Sequence, residues 1–304
     1  MFLGPTAFLK DRDQMQRAWS RGEALAYTHW LATHHYENFQ VVSFLLPKRL
    51  HQDFYNVYAF CRWSDDLGDE IGDPQESLRL LAWWRGELQA MYAGRATHPV
   101  FVALQPTVAQ YHLPIEPFDH LIQAFEQDQT VTRYRNFDEL FEYCRYSANP
   151  VGRLVLGLCG YQDAERQALS DATCTALQLA NFWQDVIVDL QKDRVYLPLD
   201  VLERNGYPVV DLFARRFDDR FRRAMKEAVG VARELFFKGL PLADQVDRRL
   251  AIDLELFSRG GLKILDKIER QDYDVLRARP VISKTERVGL LLGAITRRAF
   301  SRAA

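Results

Sequence analysis

Two observations in the sequence predict an all-α fold, and a third a single domain. No stretch sustains the alternating apolar and polar pattern of a strand. Apolar residues recur at helical spacing along most of the 304 residues, with Pro47, Pro74, Pro114, Pro198, Pro208, Pro241 and Pro280 at or near the breaks. No long Gly/Ser linker interrupts the chain, so a single domain over 1–304 is expected. Hydrophobic content of 48% with 26% charged residues suits a globular chain with a sizeable core.

The punctuation places the elements in order. Helices are predicted over 14–35 and 50–70 on either side of Pro47, and over 75–93 after Pro74. Helices over 98–110 and 115–129 flank Pro114, and 137–160 carries Pro150 in its interior. Ser170 reads as an N-cap for the helix predicted over 165–191. The last three, 211–238, 242–270 and 285–301, follow Pro208, Pro241 and Pro280.

Two of these helices carry acidic segments of nearly the same plan, about 120 residues apart. Residues Tyr58 to Glu70 read YAFCRWSDDLGDE, and Gln178 to Pro198 read QLANFWQDVIVDLQKDRVYLP. Each sets two aspartates four apart, Asp65 with Asp69 and Asp185 with Asp189, which stacks both carboxylates on one helix face. At 100° per residue, Tyr58, Arg62, Asp65 and Asp69 share a stripe roughly 60° wide. Gln178, Asn181, Asp185 and Asp189 share one of roughly 80°. The flanking residues Val57, Phe60, Trp63, Leu179, Phe182, Trp183 and Val186 are apolar. A single pair of this kind reads as surface charge, but like charges at this spacing repel. The arrangement occurs twice with polar companions, which calls for a compensating cation in a wet cavity of a helical bundle.

Magnesium takes oxygen ligands, keeps several waters and bridges carboxylates to phosphate. Four aspartates on two such faces are donors of that kind, and they make a diphosphate the expected ligand. Arg62 and Arg194 are candidates to pair with diphosphate oxygens, although an isolated arginine equally reads as a surface ion pair. Cations around a leaving diphosphate favour ionisation of a carbon–oxygen bond. The carbocation left behind needs dry aromatic walls, for which Phe39, Tyr58 and Tyr146 are candidates; each taken alone also reads as core.

Other classes fit poorly. A net charge of −2 gives no basic field for nucleic acid. Cys61, Cys144, Cys159 and Cys174 form no CxxC or zinc-like grouping, so buried free thiols in a reducing cytoplasm are expected. No signal peptide is evident, and no window approaches the ~20 apolar residues of a membrane span. The Glu-x-x-His pairs of a di-iron bundle are missing. His34-His35 reads as ordinary core or surface, with contact to diphosphate or proton transfer as the alternative.

Together the motifs resemble those of the squalene/phytoene synthase family, from THHYENFQVVSFLLP through the Arg-Val-Tyr-Leu-Pro element at 194–198. The resemblance implies an isoprenoid synthase bundle with a central cavity, a prenyl diphosphate substrate and Mg2+ held by Asp65, Asp69, Asp185 and Asp189. It also places Tyr58, Arg62, Gln178, Asn181, Arg194 and Tyr196 near the diphosphate and cavity. YENFQVVSFLLPKRL and YCRYSANPVGRLVL look most like the hydroxysqualene synthase branch of bacterial hopanoid pathways. That branch takes presqualene diphosphate to hydroxysqualene, with pathway enzymes before and after it as candidate partners. Head-to-head condensation of two farnesyl or geranylgeranyl diphosphates is the alternative within the family, and a non-catalytic scaffold the alternative outside it.

Many relatives carry Ala-Gly where this chain has Ala148-Asn149, followed by Pro150. Proline inside a helix removes a donor and crowds the preceding turn, so a kink is expected there. The stretch Tyr146–Asn149–Pro150 is thereby a candidate holder of the quenching water, against a reading as packing alone. Finally, TERVGLLLGAITRRAFSRAA sets Leu290, Leu291, Leu292, Ile295 and Phe300 beside Arg297, Arg298 and Arg302. It reads either as a core helix with a basic end or as a peripheral membrane contact.

Overall fold

The computed structural model describes residues 2–34 and 47–300. Phe39, His35 and the stretch around them lie outside the described residues. In chain order the first α-helices are α1 (Pro5–Phe8), α2 (Arg12–Gln16), α3 (Arg21–His34) and α4 (His51–Asp69). Then come α5 (Pro74–Tyr92), α6 (Pro99–Tyr111), α7 (Glu116–Gln127), α8 (Phe137–Ser147) and α9 (Asn149–Leu158). The second acidic segment spans α10 (Ala164–Gln184) and α11 (Val186–Gln191). Beyond it lie α12 (Leu199–Arg204), α13 (Val209–Phe213), α14 (Asp219–Gly239), α15 (Arg248–Arg270) and α16 (Lys284–Phe300). Among the described residues no strand forms, and Arg133 and Val195 make an isolated parallel bridge. The all-α prediction is met.

Several predicted helices are divided, each for a local reason. The 14–35 helix splits because Ser20 and Glu23 form a capping box at the start of α3. Ser20 N–H donates to Glu23 Oε2 (3.0 Å) and Glu23 N–H to Ser20 Oγ (3.3 Å). The 211–238 helix begins only at Asp219, where the Asp218 carboxylate accepts from Arg220 and Phe221 N–H. A 3₁₀ turn, Leu240–Asp244, precedes α15, which Asp247 caps. Ser170 is not an N-cap. The α10 helix starts six residues earlier at Ala164, with Asp163 accepting from Arg166 N–H, and Ser170 is buried in its interior.

By their contacts, residues fall into two compact units: Met1–Thr130 with Pro150–Gln162, and Val131–Asn149 with Asp163–Ala304. In the first, α4 packs against α3, α5, α6 and α7. One side of α4 is fixed by buried amide and hydroxyl groups. Asn56 Nδ2 donates to Ala103 O and Thr107 Oγ1, both at 3.0 Å, while its Oδ1 accepts from Thr28 Oγ1 (2.7 Å). Further along, Trp63 stacks on Trp84 at 5.1 Å, and Trp84 Nε1 donates to Ser64 Oγ (3.0 Å). His98 caps α6 and sits among Trp63, Trp83 and Trp84; burial pushes its imidazole down to about 3, so it is neutral.

In the second unit α10 packs along α14 and α15, and α16 lies on α15. Trp183 Nε1 reaches Ala228 O (3.0 Å), joining α10 to α14. Gly261 in α15 lies against the Phe236 ring, where a Cβ would come within 2.1 Å of Cζ. The Asp253 carboxyl is fully buried with no hydrogen-bond partner on either oxygen, and burial, assisted by Asp247, pushes it up to about 8. Its folded-state value lies above that of the unfolded chain, so the unfolded chain loses its proton first. Stability is therefore lost as pH rises from the ordinary carboxylate range to about 8. Asp253→Asn removes that loss, and its advantage in urea unfolding should grow between pH 5 and pH 8 to on the order of 3 kcal/mol. A pH-independent difference would contradict this assignment.

Candidate functional site

The first acidic stripe forms as the helical spacing requires. Tyr58, Arg62, Asp65 and Asp69 lie along one face of α4, each half-buried. The Asn56 side chain leaves from the other side, so packing and the candidate chemistry occupy different faces. Arg62 is held by its own helix, with Nη2 2.6 Å from Asp66 Oδ1 and Nη1 3.5 Å from Asp65 Oδ2. Asp66 is buried, and burial pushes its carboxyl up to about 6 against the pull of Arg62. Sequence reasoning missed this residue because it lies off the Asp65–Asp69 stripe. Burial also raises the Tyr58 phenol. Gly68, between the aspartates, lets α7 approach: a Cβ would meet Phe125 at 3.0 Å.

The second stripe departs from a continuous helix. Asp185 (φ −105°, ψ 14°) separates α10 from α11. Its carbonyl still accepts from Val188 N–H (2.8 Å) and Asp189 N–H (2.9 Å), which keeps Asp189 one turn beyond it. Gln178, Asp185 and Asp189 are half-buried, whereas Asn181 is exposed. A segment 94 residues further along straps the break. Gln184 Nε2 donates to Pro280 O (2.6 Å), and the Arg279 guanidinium grips Asp185, with Nη2 3.1 Å from Oδ2 and Nε on Oδ1. Nothing in the local sequence around Arg279 announces this partner.

Arg194 is half-buried, and its N–H donates to Asp189 O (2.9 Å). Tyr196 is buried and stacks on Phe182 at 3.6 Å, with Tyr134 and Tyr143 completing an aromatic cluster. Tyr146 is half-exposed and hydrogen-bonds Glu142, which raises its phenol. The predicted 137–160 helix is interrupted at Ala148, beside Pro150 as expected. Asn149 is buried, and its Oδ1 accepts from Thr175 Oγ1 (2.9 Å).

His34 is exposed, with Nδ1 3.0 Å from Trp30 O. The four thiols are free, but only Cys144 is fully buried; the other three are half-buried, a correction to the expectation for all four. Among the described residues no group of three or more His, Cys, Asp or Glu side chains is gathered as a metal site. Each stripe supplies two half-buried carboxylates one turn apart, and such an all-oxygen donor pair suits a hard cation that keeps part of its water shell.

The fold and the motifs belong to one family. A squalene/phytoene synthase family model matches residues 32–286, and the chain belongs to that family. The crystal structure of squalene synthase HpnC from Alicyclobacillus acidocaldarius is 48% identical, with a TM-score of 0.79 over 82% of this chain and 94% of that one. A dehydrosqualene synthase structure, 24% identical, shares the fold with a TM-score of 0.81 over 94% and 98% of the two chains. Phytoene synthase from Thermus thermophilus is 36% identical over 259 residues, 84% of this chain and 87% of that protein. The chloroplastic phytoene synthase of an Oncidium hybrid is 31% identical over 261 residues, and the match spans 83% of this chain but 63% of that longer protein.

Proposed function

We propose that this protein is a magnesium-dependent isoprenoid synthase that converts presqualene diphosphate and water to hydroxysqualene and diphosphate. The observation that carries the reading is the pair of half-buried Asp–Asp stripes, in a chain 48% identical to a squalene synthase of known structure. Asp65, Asp69, Asp185 and Asp189 are the residues that would hold magnesium. When bound, the metal neutralises charge on the departing diphosphate. Arg62 and Arg194 add guanidinium donors for the diphosphate oxygens, and Arg279 would turn from Asp185 toward them. Gln178 and Asn181 supply amide donors beside the carboxylates. Tyr58 offers an aromatic face for the carbocation left behind, with Phe39 and Tyr146 as the other candidates. Tyr196, stacked on Phe182, backs the site from the core.

Asn149 sets the outcome in this reading. Thr175 occupies its amide oxygen, which leaves the Nδ2 donors to hold a water by its oxygen. Asn149→Gly with Pro150→Leu should keep ionisation, seen as diphosphate release, but shift product from alcohol to eliminated or rearranged hydrocarbon. An unchanged alcohol fraction would place the quenching water elsewhere.

The 36% identity to a phytoene synthase favours a second reading, head-to-head condensation of two prenyl diphosphates, which would make the enzyme a prenyltransferase rather than a lyase. One experiment separates the two. The pure protein with magnesium is given presqualene diphosphate or farnesyl diphosphate separately, without reductant, and products are identified by mass spectrometry. Hydroxysqualene from the first substrate alone supports the proposal. Presqualene diphosphate or a longer condensation product from the second supports the alternative.

No described helix is long and apolar enough to cross a membrane, and transient contact with a bilayer surface is part of the reading because substrate and product are hydrocarbons. The C-terminal helix α16 is tied to α15 by Lys267–Glu286 (2.9 Å), with Ala294 buried, in keeping with its reading as a packed helix. Val288 and Leu292 remain exposed.

A further inference from the structure

The short helix α13 turns apolar side chains outward. Val210 is 69% exposed and Phe213 41%, three residues apart. The turn that follows is built rather than loose. Arg215 adopts the left-handed conformation (φ 51°), Arg216 N–H donates to Asp211 O (2.9 Å), and Tyr207 Oη donates to Arg216 O (2.7 Å). Buried Asp211 anchors the turn through Arg216 (3.0 Å) and Arg220 (2.9 Å). Val210 and Phe213 are thus held outward on a firmly braced turn, a small preformed apolar patch that something can cover.

The charges around them say what that is. The carboxylates of the turn and of the helix start after it are paired, Asp211 with Arg216 and Arg220, Asp218 with Arg220 and Asp219 with Arg222, and beside Phe213 Asp193 pairs with Arg133. Arg215 is exposed and pairs with no carboxylate among the described residues, and the Arg216 side chain is 70% exposed. Arg133 also sits 5.3 Å from the centre of the Phe213 ring while holding Asp193 just beyond α11. The apolar pair is therefore fringed by arginine and connected to the end of the second acidic segment. Apolar side chains that can enter the acyl boundary, with guanidinium groups at headgroup level, match an anionic bilayer surface.

We propose that Val210 and Phe213 insert into the face of an anionic lipid bilayer, with Arg215 and Arg216 on its phosphates. This names the partner of the site proposed above and rests on that reading for its purpose, since a hydrocarbon-bearing substrate would be taken from that bilayer. Binding itself is measured without substrate, so the two can fail separately.

The full chain is sedimented with phosphatidylcholine vesicles with and without phosphatidylglycerol. The wild type should bind the anionic vesicles, more weakly as salt rises. Val210→Asp with Phe213→Asp should weaken that binding at least ~10-fold, and Arg215→Glu roughly fivefold. Both variants should keep wild-type turnover of detergent-dispersed presqualene diphosphate. Val288→Asp with Leu292→Asp on α16 should bind as the wild type does. Wild-type binding equal on neutral and anionic vesicles, or absent from both, would overturn the proposal. So would full binding by the α13 variants, which would assign the patch to a protein partner, or loss of binding confined to the α16 variant.

Discussion

Asp65→Asn and Asp189→Asn are each expected to lower turnover at least ~10²-fold while leaving helix content and unfolding midpoint near those of the wild type. The substitution removes one charge and almost no volume, so packing is not the cause. Both side chains are half-buried on the surface of their helices and fill no core space. What is lost is a negative oxygen donor, and an amide is a poor substitute for a carboxylate toward a hard cation. Activity near wild type in both variants, or wild-type activity in excess chelator, would remove these residues from the site. Asp185 makes a useful contrast because Arg279 already grips it. Asn at 185 would also release that guanidinium, so its effect mixes two causes and is a weaker test.

Trp84→Ala is expected to destabilise the first unit by about 3–5 kcal/mol, or to prevent its folding. Trp84 is fully buried against Trp63, with Phe101 at 4.4 Å and His98 at 5.0 Å. Truncation opens a cavity the size of an indole among side chains too large to close it, and removes the donor to Ser64. Both Trp63 and Ser64 lie on α4 directly before Asp65, so the loss falls on the helix that carries the first acidic stripe. Trp84→Phe keeps most of the apolar contact and should recover more than half of the lost stability in urea unfolding. Equal behaviour of the Ala and Phe variants would point away from packing as the cause.

Helix periodicity made the fold class legible, and the four-residue spacing made both acidic stripes legible. The divisions of the predicted helices were less so. The capping pattern of Ser283 and Glu286 agrees with the predicted start of the last helix, whereas at Ser20 and Glu23 the same pattern stands in the sequence but apolar periodicity running across it masks the boundary. Ser170 has the right chemistry for a cap and the wrong place, because Asp163 caps first and the following residues extend the helix without interruption. The break at Asp185 could not be read locally, since Arg279 and Pro280 that strap it lie far along the chain. Asp66 was hidden for a related reason. Its role depends on being buried beside Arg62, and burial is decided by α4's neighbours, not by its own spacing.

The placement of tryptophan has a practical consequence. Of six in the chain, Trp19, Trp30, Trp63, Trp83 and Trp84 belong to the first unit, and Trp183 alone belongs to the second. Excitation of a Trp183→Phe protein would therefore give emission from the first unit only. Comparison with the wild type would expose any denaturant range in which one unit has melted and the other has not. Ring stacking of Trp63 on Trp84 should also give an exciton couplet in far-ultraviolet circular dichroism that vanishes when α4 parts from α5. The residues that hold the first aspartates in place thus carry their own optical reporter, and no label need be attached near the site.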